Sequence, residues 1–285
     1  MNKQMDRRAL FATGSAAAVL AALGMSADAQ PVHGGALTAA LSGKDRNETW
    51  SATPGSHFLR AVRTAVFDTL TEIAPDGTLQ PRLATSWRSE AGGSVWHLAL
   101  REYVFFHDGS PLTAEDVAAT LRHAGFDACI CDGVRVRLTE PDHSFPIRLA
   151  QDHLIVSRAK DLADTCPNLN GTGLYRAERF DPGRGFLGKR VAAHFRDGQA
   201  GWFDTVELIS TSDVAVRIDA VQKGIVQMAD LSGMISQPVA SDLVECRAVS
   251  GCDALVSSSI MHRAQIGKGA LDDMRFHERW WSKPV

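Results

Sequence analysis

Leu100-Arg101-Glu102-Tyr103-Val104-Phe105-Phe106-His107-Asp108-Gly109-Ser110-Pro111-Leu112-Thr113-Ala114-Glu115-Asp116-Val117 holds, in one run, a strand end, a tight turn and a helix start. Just before it, Trp96, Leu98 and Leu100 alternate with Val95, His97 and Ala99, the period of a half-buried strand. Val104-Phe105-Phe106 leads into the turn His107-Asp108-Gly109, where the Asp108 carboxylate is expected to bond local amides. Thr113 stands where it can cap a helix, and Glu115 and Asp116 suit the positive end of the helix dipole. Val117 and Leu121, four apart, then share one face.

Working outward, Pro75-Asp76-Gly77 is a turn between Leu70-Thr71-Glu72-Ile73 and the stretch Leu79 to Trp87. Phe58, Val62 and Val66 recur at helical spacing, which predicts a helix from His57 to Leu70. A polar loop, Ser42 to Ser56, separates that helix from an opening strand, Ala36 to Leu41. On the other side, Val134 to Leu138 alternates as a strand. Ser212 precedes Val214, Ile218 and Val221, with Gly224 as a helix stop. Leu271 to Trp281, acidic first and basic later, reads as a short closing helix. Helices and strands mix irregularly, so the class is α/β, mixed with α+β.

The N-terminus reads as an export signal. Lys3, Arg7 and Arg8 precede an uncharged run from Leu10 to Met25, and Ala27-Asp28-Ala29 offers a small-x-small cleavage site. The mature chain is expected to begin at Gln30, and Asp6-Arg7-Arg8-Ala9-Leu10-Phe11 is similar to a twin-arginine signal. Beyond Gln30 no stretch is apolar enough for a membrane helix. A net charge of −3 without a basic stripe argues against a nucleic-acid partner. Five cysteines leave at least one thiol outside any intramolecular pair. Cys246 and Cys252 flank a turn that a disulfide could close, whereas Cys129 and Cys131 have a single residue between them and are poorly placed to bridge. With no CxxC and no HxxxH spacing, these thiols read as buried or structural rather than as a metal site.

The search for chemistry is negative. There is no G-x-S-x-G, and Gly171-Thr172-Gly173 lacks the Lys-Ser/Thr and helix of a phosphate loop. Spacing alone argues against an enzyme, and no cofactor is expected.

The run 66–79, Val-Phe-Asp-Thr-Leu-Thr-Glu-Ile-Ala-Pro-Asp-Gly-Thr-Leu, together with Pro81-Arg82-Leu83-Ala84-Thr85-Ser86-Trp87 and residues 100–117, resembles family 5 extracellular solute-binding proteins. These are the oligopeptide, dipeptide and nickel binding components of ABC importers. Gly171 to Tyr175, Phe203 to Leu208, the helix Asp213 to Gly224 and the segment Leu271 to Trp281 resemble further parts of that family. Leu174 stands where the family has Pro, and Gln227 where it has an acid.

The resemblance implies a periplasmic-binding-protein-like class II first lobe, with the second lobe reduced or absent. Residues 30–60 and 170–285 would form the lobe core, with 228–268 in place of the second lobe. Residues 61–169 would form an inserted subdomain, and 1–29 the signal. It implies a periplasmic protein that captures a peptide-like or other small solute and delivers it to an ABC permease. Trp50, Ser51 and His57, from the loop after the first strand, and Tyr175, near the crossover, are the candidate ligand contacts; core packing is the alternative for Trp50 and Tyr175. The competing readings are a single-lobe interaction module, self-associating through its uncovered face, and a decayed protein.

Overall fold

The computed structural model describes residues 34–43, 56–74, 78–162 and 169–231, and the backbone of two later strands. The signal segment, Trp50, Ser51, the Pro75-Asp76-Gly77 turn, the side chains of Cys246 and Cys252, and the Leu271–Trp281 segment lie outside the described residues.

The chain runs β1 (Ala36–Leu41), α1 (His57–Val66), β2 (Thr71–Ile73), β3 (Leu79–Pro81), β4 (Ala84–Glu90), β5 (Val95–Leu100) and α2 (Ala114–His123). It continues through β6 (Asp127–Cys131), β7 (Gly133–Arg137), α3 (Phe145–Arg148), β8 (Tyr175–Asp181), β9 (Gly185–Arg190) and β10 (Thr205–Ser210). Last come α4 (Val214–Gln222), β11 (Met228–Asp230), β12 (Leu243–Arg247) and β13 (Ala254–Ser258). A seven-stranded sheet takes the order β12-β13-β11-β1-β10-β9-β8. A four-stranded sheet is ordered β4-β5-β7-β6, and β2 pairs with β3.

β1 is the opening strand that its sequence predicts, and it lies inside the large sheet. It pairs in parallel with β10, from Ala36 opposite Thr205 to Leu41 opposite Ser210, and with β11 at Ala39 and Ala40. Leu37, Ala39 and Leu41 join Phe58, Val62 and Val66 of α1 in one core, and Ala40 joins Val221 of α4 in another. Strand alternation therefore puts α1 and α4 on opposite faces of the sheet. Burial on both faces explains why β1 is apolar at nearly every position. β12 and β13 extend the sheet as an antiparallel hairpin, β13 pairing with β11.

The four-stranded sheet buries Trp96, Leu98, Val134 and Val136 against Val117 and Leu121 of α2. The alternation of β5 and β7 and the one-faced helix after Thr113 are thus observed as expected. Thr113 and Asp116 form a reciprocal capping box, and the other Asp116 oxygen accepts the Ala159 amide at 2.9 Å. Asp108 accepts from the Ser110 amide and hydroxyl at 3.0 and 2.6 Å, so its carboxylate closes its own turn.

Two helix boundaries differ from expectation. α1 stops at Val66 rather than Leu70, with Phe67 extended. The Val66 carbonyl accepts from Gly173 at 2.8 Å, and those of Thr69 and Leu70 accept from Leu83 and Ala84. Tertiary partners thus take the hydrogen bonds that another helical turn would have used. For α4 the cap is Asp213, not Ser212: its carboxylate accepts the Ala215 and Val216 amides. Gly224 then ends the helix at φ +67°.

The Gly171-Thr172-Gly173 stretch is a close-approach site. A Cβ on Gly171 would lie 2.0 Å from the Val66 carbonyl oxygen, and one on Gly173 2.6 Å from that of Ala65. Gly171→Ala is expected to lower unfolding free energy in urea by roughly 3 kcal/mol, because backbone must move. Gly109→Ala, at φ +85° with nothing within 4 Å of the new Cβ, should cost only the backbone conformation, about 1 kcal/mol.

Candidate functional site

In open α/β sheets, ligands bind outside the carboxyl ends of parallel strands where connections part to opposite faces. β1, β10 and β11 supply that edge here. Ser42 and Gly43 leave β1 there, and the chain returns at Ser56 to start α1. The Phe58 amide donates to the Ser42 carbonyl at 3.0 Å, tying departure to return. Trp50 and Ser51 belong to the intervening segment, which leaves and rejoins the described chain at this edge.

The edge is built around Asp230, the fully buried last residue of β11. Its Oδ2 accepts the Ser42 amide at 2.6 Å and lies 3.0 Å from His57 Nδ1. Its Oδ1 lies 3.0 Å from a terminal nitrogen of Arg217, itself fully buried on α4. Arg217 also donates through Nε to the Asp230 carbonyl at 2.9 Å and through Nη1 to the Thr211 carbonyl at 2.7 Å. Burial by itself would raise the Asp230 pKa; the bond from His57, the Arg217 charge and the Ser42 amide outweigh it and hold the carboxyl below its usual value. Burial also draws Arg217 below the ordinary guanidinium range, against the pull of Asp230 and Asp213. Facing a carboxylate, the Nδ1 of His57 carries the proton.

Of the four residues nominated from sequence, His57 is the first residue of α1 and part of this cluster. Tyr175 is placed elsewhere. It is fully buried in the main core, with its hydroxyl donating to the Phe203 carbonyl at 3.3 Å, so it presents no surface to a solute. Trp50 and Ser51 lie outside the described residues. Asp230 and Arg217 were not nominated. The acid sought at position 227 comes three residues later, on the strand itself. Gln227 uses its side-chain oxygen to accept the Thr38 amide at 2.6 Å, and its own amide donates to the Thr38 carbonyl at 2.9 Å. An amide oxygen there accepts as a carboxylate would.

A second buried cluster ties the large sheet to the four-stranded one. Arg82 donates to Asp68 through Nε at 2.8 Å and to Glu72 at 2.9 Å. Thr172 donates to the other Asp68 oxygen at 2.9 Å, and Phe195 stacks beneath the Arg101 guanidinium at 4.8 Å. His107 bonds the Gly173 carbonyl through Nε2 at 2.7 Å. Burial lowers the His107 pKa more than that bond raises it, so its ring is neutral near pH 7. Cys129 is half-buried and Cys131 exposed, and the exposure of Cys131 corrects the expectation of buried thiols.

Comparison with known proteins shows which folds this architecture is similar to. Residues 78–127 match the sequence model of bacterial extracellular solute-binding proteins, family 5. The structure superposes on the periplasmic binding protein AgaA from A. tumefacien, in complex with agropinic acid, with TM-score 0.65 and 22% identity. The chain carries the fold of family 5 solute-binding proteins. That match covers 75% of this chain and 48% of the other. DppA from Helicobacter pylori, in complex with a peptide, matches with TM-score 0.62 and 18% identity, over 76% of this chain and 51% of that one. A nickel ABC transporter protein from Bacillus halodurans matches with TM-score 0.59 and 23% identity, over 68% and 42%. In sequence, 70 residues are 34% identical to the nickel-binding periplasmic protein of Escherichia coli, covering 25% of this chain and 13% of that protein. The chain thus spans about half the length of these family 5 structures.

Urea titrations at several pH values test both buried clusters. Asp230→Ala should cost about 3–5 kcal/mol at pH 7, because the buried Arg217 loses the carboxylate it pairs with. For the unaltered protein, His107 contributes a definite sign. Its folded pKa lies below the ordinary 6.5, so the unfolded chain binds the proton first as pH falls. Its contribution is whole above pH 6.5 and is lost as pH drops toward the folded value; His107→Gln should flatten that part of the profile.

Proposed function

We propose that the chain captures a small solute, peptide-like in the first instance, at the carboxyl edge of β1, β10 and β11 and delivers it to an ABC permease. The observation that carries this reading is the buried Asp230 cluster. It locks the ends of β1 and β11 and the start of α1 together where open parallel sheets take ligands. Rigid, preorganised support of this kind is what a binding edge needs. His57 belongs to the support, and Trp50 and Ser51, carried by the segment between Gly43 and Ser56, would supply contact. The similar structures AgaA and DppA are in complex with agropinic acid and with a peptide, which supports a small solute on this fold.

The pairing of β13 with β11 favours a completed lobe over a decayed one, since the hairpin covers what would be an open sheet edge. Residues 1–29 would direct export, leaving a periplasmic protein that begins at Gln30; the intact mass of the periplasmic form checks this.

Thermal-shift screening of the chain from Gln30 with peptide, nickel-chelate and sugar pools tests capture. A ligand at tenfold its Kd stabilises by about 1.4 kcal/mol, and the melting temperature should rise by roughly 3–5 °C. No shift with any pool, alongside clear self-association in sedimentation, would instead favour the interaction-module reading.

A further inference from the structure

The four-stranded sheet carries a feature that solute capture leaves unused. Cys129 and Cys131 lie two residues apart on β6, which among the described residues is an edge strand paired with β7 alone. Ala128 between Asp127 and Cys129 is buried, so alternation turns Asp127, Cys129 and Cys131 to the same outer face. Across the ladder Cys129 faces Arg135. Cys131 faces Gly133, which has no side chain to cover it, and it lines an open cleft with His97, Asp132 and Trp87. Both thiols are unpaired.

We propose that Cys129 and Cys131 form a two-thiolate site for a soft monovalent cation, copper(I). Thiolates are soft donors that select copper(I) over the harder divalent ions. Among the described residues no third His, Cys, Asp or Glu joins them as a ligand, so the geometry offers two donors rather than a zinc tetrahedron. A copper(I) ion held by two thiolates carries one net negative charge, and Arg135 stands opposite Cys129 to balance it. Binding releases the two thiol protons to solvent, with no change in oxidation state. A disulfide is the competing fate. Residues two apart on a strand are separated by about 6.6 Å, near the upper limit for a disulfide, and their Cβ bonds run side by side rather than toward each other. The pair is therefore kept as a dithiol more readily than cysteines that face each other.

The test is anaerobic titration of the reduced full chain with copper(I) against a chromogenic chelator. One equivalent should bind tightly, and X-ray absorption should show a shell of two sulfurs. A variant with Cys166, Cys246 and Cys252 changed to Ser should keep that equivalent. Cys129→Ser with Cys131→Ser should lose it, with unchanged circular dichroism and melting temperature because neither thiol is in the core. Arg135→Gln should weaken binding by roughly tenfold. The proposal is overturned if the double variant retains the tight equivalent, if the unaltered chain binds none, or if mass mapping finds 129 and 131 bridged to each other. None of these outcomes depends on solute capture, which the thermal-shift screen reads separately.

Discussion

The carboxylate of Asp230 is the constraint on which the edge of the large sheet rests. It is fully buried, and a buried charge is tolerated only when its lone pairs are filled. They are filled from three directions: the Ser42 amide at the end of β1, His57 at the start of α1, and Arg217 on α4. Each donor belongs to an element whose position follows from other packing. The strand is held by parallel pairing with β10 and β11, and the two helices by apolar contacts on opposite faces of the sheet. The carboxylate therefore converts independent packing into one fixed edge. Shifting any of the three would leave charge or an amide unsatisfied in a place water does not reach.

Asp68 does the same work at the other end of α1. Its pairing with Arg82 and its bond from Thr172 join the exit of the helix, the four-stranded sheet and the returning chain before β8. The glycines at 171 and 173 let that return run against the Val66 carbonyl, and His107 closes the contact through the Gly173 carbonyl. Two buried acids, one at each end of a ten-residue helix, thus connect the segments that the chain order separates. The histidine-aspartate turn of residues 107–109 belongs to this framework, which explains a motif that carries no chemistry of its own.

Much of this was legible beforehand. Alternation in β5 and β7 and the capping pair Thr113 and Asp116 are local patterns, and local patterns survive folding when the environment is the expected one. The exit of α1 was not legible, because residues 67–70 are as good for helix as for a loop until Gly173, Leu83 and Ala84 take the carbonyls of Val66, Thr69 and Leu70. Of the Asp230 cluster, His57 was singled out from sequence as a candidate ligand contact in the loop after the first strand, and the structure pairs it with Asp230. Asp230 and Arg217 were hidden, because an acid on a short strand and a base on a helix look like solvated surface until they meet. Tyr175 drew attention as an aromatic near the crossover and is instead enclosed in the core.

The sequence by itself determined β1, β5 and β7, the apolar faces of α1, α2 and α4, and the resemblance to family 5, since these follow from periodicity, turn chemistry and ungapped motifs. Only the tertiary structure decided which polar residues act together. Asp230 and His57 are 173 positions apart, and Asp68 and Thr172 are 104. No short-range pattern reports such pairs. Their partnership arises from the cost of leaving buried charge unmet, and that cost exists only once the chain has folded around it.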